Sequence, residues 1–255
     1  VTLSSIAGSL LDDANQTTKV TGNVITLTAA NAIGASDNQI DTKAAQLNLT
    51  TTNGSIFVNE EDAVSLNNVL ASGAGNDVTI TNTTGDMTLV TVTAADDVTL
   101  TAAAGSVNDD SNQGTVVSGD LVTITAQNGI GSTVANAEID TTATTLNVSS
   151  TQSGSIFLRE TDGVTLQNVS TVDGGIIVTT GGATAVTSII ANDAGANEEH
   201  DVNLTVSTGN VTVTTVTADD DATITADSGS IFSNNSMVTG DVVTLAASNG
   251  ASSIG

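Results

Sequence analysis

The 255-residue chain carries 28 Asp and Glu against three Lys and Arg, a formal net charge of −25, and it contains no Cys, Pro, Trp or Tyr. That charge excludes nucleic acid and anionic lipid surfaces as expected partners, because binding to phosphates needs basic residues. The lack of Cys excludes disulfides and thiol chemistry, and no apolar run is long enough to span a membrane, so insertion is not expected.

Hydrophobic residues make up 38% of the chain, almost all of them Val, Ile, Leu and Ala, with Phe57, Phe157 and Phe232 as the only aromatics. A globular core of this size uses bulky aromatic fillers. A narrow stack of coils, each holding a few aliphatic side chains, does not need them.

Taken in order, the chain copies itself. The run Val1-Thr2-Leu3-Ser4 through Val20-Thr21-Gly22 aligns without a gap with Val98-Thr99-Leu100-Thr101 through Val117-Ser118-Gly119, including Asp12-Asp13 against Asp109-Asp110. A third version runs from Ala222-Thr223-Ile224-Thr225 to Val238-Thr239-Gly240. Internal periodicity of this kind is the mark of an array. Residues 1–22 read as the tail of a preceding long repeat, 23–119 as the first complete repeat, and 120–240 as the second. Residues 241–255 begin a third, so 1–255 is one continuous array.

Within the two full copies, Ala32-Ile33-Gly34 answers Gly129-Ile130-Gly131, and Ile40-Asp41-Thr42 answers Ile139-Asp140-Thr141. Gly54-Ser55-Ile56-Phe57 answers Gly154-Ser155-Ile156-Phe157. The second copy is longer, and its excess near 175–200 has the length of one short unit. Those short units begin at Asp77, Asp97 and Asp120 and again at Asp201, Asp221 and Asp241.

Each unit carries an alternating run such as Val78-Thr79-Ile80-Thr81, which reads as a strand with one buried face. Asn-Gly and Gly-Ser steps read as turns. Strands in units of about 20–24 residues, with no helix-length segments between them, predict an all-β parallel solenoid of about twelve coils. Stacked at strand spacing, these coils give a rod roughly 55–60 Å long. The handedness of parallel crossovers makes the coil right-handed. A tandem of sandwiches is disfavoured by the missing core aromatics. The chain opens inside a strand at Val1-Thr2-Leu3 and closes inside a repeat at Ser252-Ser253-Ile254-Gly255. The expectation is therefore a mature section of a polypeptide that continues in both directions, or whose ends meet other copies.

The combination Gly119-Asp120-Leu121-Val122-Thr123-Ile124-Thr125-Ala126, Gly129-Ile130-Gly131 and Ile139-Asp140-Thr141, with Gly54-Ser55-Ile56-Phe57-Val58-Asn59-Glu60 and Asp62-Ala63-Val64, resembles repeats of large exported bacterial adhesins. These are the filamentous-haemagglutinin-like and related β-strand-repeat proteins. The resemblance implies an extracellular or cell-surface protein serving in attachment, biofilm or fibres, with the repeats as stalk, spacer or fibre-forming module. It implies as partners other copies or further repeats of the same polypeptide, and a host or neighbouring cell surface.

Three residue sets are candidates for chemistry. The acid clusters Asp12, Asp13, Asp96, Asp97, Asp109, Asp110, Asp219, Asp220 and Asp221, with Glu60-Glu61-Asp62 and Glu198-Glu199, supply the oxygen donors that Ca²⁺ takes when turns stack. The competing expectation is a solvated acidic surface with Asp capping turns. The tandem nonapeptide of calcium-binding toxin repeats is missing, and Gly73-Ala74-Gly75-Asn76-Asp77 echoes it once. The Thr pairs Thr26/Thr28, Thr79/Thr81, Thr99/Thr101, Thr123/Thr125 and Thr223/Thr225 resemble the arrays of ice-binding solenoids, against the simpler fact that Thr suits strands; intervening coils are expected to break the array. A polysaccharide-binding or -cleaving β-helix is the third alternative. With no Tyr or Trp to stack sugars, and with His200 read as an exposed loop residue and Arg159 as a surface partner of Glu160, no enzyme is expected.

Overall fold

The computed structural model describes residues 1–255 apart from 16, 113, 115, 194–199 and 248–255. Among the described residues, twenty-one strands, paired with one another in parallel, wind into a β-solenoid of about 11 turns, close to the expected count. There is no helix among the described residues.

The alternating runs explain both the strands and their stacking. Val78–Asn82, Val98–Ala102 and Ala222–Ala226 each bury every second residue, as period-2 geometry requires. Register then places like on like. Ile56, Val78, Val98 and Val122 form one column, which continues through Leu146, Leu166, Val186 and Val213. A second column runs Val64, Met87, Val107, Ile130, Ile156, Ile176, Val202 and Ala222. All of these side chains are buried, and burial of each Val, Ile or Leu contributes roughly 1.5–3 kcal/mol. No aromatic joins the core: Phe232 is 41% exposed, and Phe57 and Phe157 lie on the outward positions of their strands.

Polar side chains at the ends of strands close the turns. Ser150 Oγ donates to the Ser153 carbonyl at 2.6 Å, Thr171 Oγ1 to Gly174 at 2.5 Å, and Asn82 Nδ2 to Gly85 at 2.8 Å, each spanning three residues. Gly34 and Gly131 hold repeat-equivalent turns at φ 71° and 66°. A Cβ there would lie 2.2 Å from the Phe57 carbonyl oxygen or 2.6 Å from that of Phe157. Only glycine permits both the left-handed backbone and the close approach.

The strands Ile176–Thr180 and Thr184–Ala191 supply one turn within 175–200. The step to the following turn pairs Ile176 with Val202 and Thr184 with Val211. Among the described pairings the Thr184–Val211 spacing is the widest, and that of Ile176–Val202 is matched by Ile130–Ile156.

Candidate functional site

The corners of the solenoid hold most of its acids, and their carboxylates face neighbouring backbone. Asp77 Oδ1 accepts the Asp97 amide at 3.3 Å, and Asp97 Oδ1 accepts the Leu121 amide at 3.1 Å. The far half repeats this. Asp201 Oδ1 accepts from the Asp221 amide at 3.1 Å and Asp221 Oδ1 from the Val242 amide at 3.0 Å. Each bond crosses from one turn to the next and staples the corner. Asp96 sits in the same crowded corner. Burial, and then repulsion from Asp97, Asp77 and Asp120, raises its pKa.

Two of the remaining acid pairs are local. Asp12 Oδ2 accepts the Ala14 amide at 2.8 Å, and Asp13 Oδ1 accepts that of Asn15 at 3.0 Å. Asp109 Oδ1 accepts from Ser111 at 2.6 Å and Asp110 Oδ1 from Asn112 at 3.0 Å. These are Asx turns that hold Ala14 and Ser111 at positive φ. Asp219 Oδ2 accepts the Asp193 amide at 2.6 Å, and the Asp220 carbonyl accepts from Asp241. Glu198 and Glu199 lie outside the described residues.

Two glutamates are the most deeply buried of the described acids. Glu60 and Glu160 are 0% and 1% exposed and stack between buried polar neighbours, Thr42 and Asn82 for Glu60 and Thr141 and Thr180 for Glu160. Glu60 Oε2 accepts from Thr42 Oγ1 at 2.5 Å, while its Oε1 accepts the Ala44 and Glu61 amides at 2.9 and 3.1 Å. Glu160 repeats the arrangement with Thr141 Oγ1 at 2.7 Å and the Ala143 and Thr161 amides at 3.2 and 2.9 Å. Burial raises both pKa values and outweighs the hydrogen bonds, which favour the charged form. The sequence carried this signal unread. In Ile56-Phe57-Val58-Asn59-Glu60 and its copy, the alternation that buries Ile and Val also turns the glutamate inward.

The cationic side chains gather beside these clasps. Lys19 and Lys43 both pair with Glu61, and Lys43 also reaches Asp62 at 3.2 Å. Together they hold Glu61 down to about 2. Arg159 was expected to pair with Glu160. It instead grips Asp140 on the neighbouring turn, through Nε at 2.6 Å and Nη2 at 2.5 Å. Strand alternation explains this: Arg159 and Glu160 point to opposite faces, whereas Arg159 and Asp140 stack in register. A groove of about 320 Å³ runs past Asp140, Arg159 and Glu160, but these side chains are occupied by one another or by backbone.

His200, expected to be exposed, has a side chain only 12% exposed. Its Nε2 lies 3.1 Å from Asp173 Oδ1 and its Nδ1 lies 3.9 Å from Asp193 Oδ2. Among the described residues this is the one set of three His or acidic side chains whose ligand atoms lie within 4.8 Å of one another. The sequence hid it, because Asp173 belongs to the preceding turn and only stacking brings it to His200.

The Thr pairs divide between faces. Thr79, Thr99 and Thr123 stack directly, as do Thr81, Thr101 and Thr125, so no coil intervenes among these three turns. The next rungs carry Asn147 and Ser149. Thr26 stacks on Thr2 and Asn48 instead, while Thr223 and Thr225 stack on Asn203 and Thr205.

Comparison of the chain with family models, with curated proteins and with solved structures finds no match.

Proposed function

We propose that this chain is a structural section of a large extracellular bacterial surface protein, serving as stalk, spacer or fibre-forming module. What supports the reading is the continuous parallel pairing from Thr2 to Ala247 across two long repeats, which runs on through register shifts at Leu47/Asn48, Leu146/Asn147 and Val213/Thr215. A stack whose turns bind only their neighbours lengthens with each copied repeat and needs no new core. About 11 turns at strand spacing give a rod on the order of 50 Å. The polar groups of the corners serve the same end, since Asp77, Asp97, Asp201 and Asp221 are used on the next turn's backbone. The strong negative charge keeps such rods apart and soluble.

The partners of this reading are further repeats or other copies in line with the stack, and a cell surface at the far end. Immunogold labelling of intact source cells with antibody to this chain tests it. The expected result is label on thin projections outside the cell. Label found only after lysis overturns the proposal.

A further inference from the structure

We propose that His200, Asp173 and Asp193 form a binding site for a transition-metal ion of the Zn²⁺ class, which ties two successive turns together at the widest step of the solenoid. Asp173 lies in the turn after Val164–Thr171. Asp193 follows Thr184–Ala191, and His200 precedes Val202–Val206. The stack therefore supplies one ligand from one turn and two from the next.

The donor set selects the metal. One imidazole nitrogen with two carboxylates suits Zn²⁺, Co²⁺ or Ni²⁺, whereas Ca²⁺ and Mg²⁺ take oxygen alone. Zinc binds nitrogen and oxygen at about 2.0–2.2 Å, which sets tetrahedral donors about 3.3 Å apart. The His200 Nε2 to Asp173 Oδ1 distance of 3.1 Å already meets that spacing. All three donors lie within 4.8 Å. Asp193 Oδ2 faces the Nδ1 edge of the ring at 3.9 Å, so a shift of the Asp193 side chain and of the imidazole together closes the set, with water in the fourth position.

The surroundings favour a cation. The lysines and the arginine are engaged at Glu61, Asp62 and Asp140. Asp219 is held against the Asp193 amide at 2.6 Å and adds negative charge beside the site. The imidazole is largely withdrawn from water while Asp173 and Asp193 keep 39% and 23% of their side chains exposed, which leaves an entry path.

His200 is the chain's only histidine and there is no cysteine, so its imidazole resonances report this site alone. The test is titration of the whole chain with Zn²⁺ in excess Mg²⁺, which occupies the diffuse acidic surface. The imidazole is followed by NMR, and Co²⁺ absorption serves as a second readout. The expected result is a shift of the His200 resonances that saturates at one equivalent, with visible Co²⁺ bands of nitrogen–oxygen coordination. His200→Ala and Asp173→Asn should each weaken Zn²⁺ binding at least about tenfold while keeping the strand circular dichroism of the parent, since even outer-shell changes cost roughly 10–100-fold. Resonances unmoved by one equivalent, or a His200→Ala chain that binds Zn²⁺ as the parent does, overturns the proposal. In that outcome the imidazole only hydrogen-bonds to Asp173. If His200→Ala does not fold, the Asp173→Asn titration and the parent's own resonances decide.

Discussion

The corners at Glu60 and Glu160 follow one plan with different fittings. Each buries a glutamate that gathers a threonine hydroxyl and the amides of its own corner. The outward neighbour differs. In the second repeat Asp140 is clasped by both nitrogens of Arg159. In the first, Asp41 receives one bond from Asn59 at 2.8 Å, and its Oδ2 is buried with no hydrogen-bond partner. The first corner has Lys19 and Lys43 instead, and both lie further out on Glu61. The inner clasp is common to the two corners and so belongs to the fold. The outer pairing differs between them, and the solenoid accommodates both versions.

The sharpest way to break the comparison is to remove the common part. Glu160→Ala or Glu60→Ala leaves buried amides and a threonine hydroxyl without their acceptor, and each should cost about 2–4 kcal/mol by chemical denaturation. Glu61→Ala, one residue along, removes only exposed ion pairs and should cost less than about 1 kcal/mol. Equal losses for Glu60→Ala and Glu61→Ala would show that burial of the clasp does not matter.

The outer fittings come next. Arg159→Ala leaves Asp140, whose side chain is 9% exposed, without its partner, while the arginine itself is 36% exposed. The expected loss is about 2 kcal/mol, below the value for a fully buried pair. The converse change, Asn59→Arg, copies the second corner onto the first. It offers Asp41 the two-pronged contact that Asp140 has, and a gain of about 1 kcal/mol in urea melts is expected. A loss of stability on Asn59→Arg would mean that the two corners are not interchangeable.

The solenoid was legible in the sequence because period-2 alternation and period-20 spacing are both written in single residues. Val98-Thr99-Leu100-Thr101 predicts inward Val98 and Leu100, and both are fully buried. The same parity applied to Asn59-Glu60 and Arg159-Glu160 would have placed the glutamates inside and freed Arg159 for Asp140. That step requires accepting a carboxylate in the buried interior of the solenoid, against the usual preference for the surface. His200 was hidden for another reason. Its partners depend on which turn lies beneath it, and the widened step between Ile176 and Val202 breaks the spacing from which that could be counted. Corner acids such as Asp97 and Asp221 read as a surface cluster because their acceptor role is set by backbone amides more than 20 residues away.

The smallest effect expected is a pH dependence, and its sign separates the buried glutamates from their exposed neighbour. Glu60 and Glu160 have pKa values raised by burial above the ordinary 4.5. The folded chain therefore holds their protons more tightly than the unfolded one. Their contribution is fully present below 4.5 and is lost as pH rises through the raised folded values. Glu61 runs the other way. Lys19 and Lys43 lower it to about 2, so its contribution is present above 4.5 and is lost as pH falls toward 2. Thermal melts should therefore rise as pH falls from neutral toward 4.5 and decline below it. Relief of self-repulsion in a chain of net charge −25 acts in the same direction as the buried pair. The double substitution Glu60→Gln with Glu160→Gln removes the buried titrations and leaves that background nearly intact. It should flatten the rise between neutral pH and 4.5 without moving the decline below it. An unchanged rise in the double variant would assign the whole effect to surface repulsion and leave the clasp without a part in it.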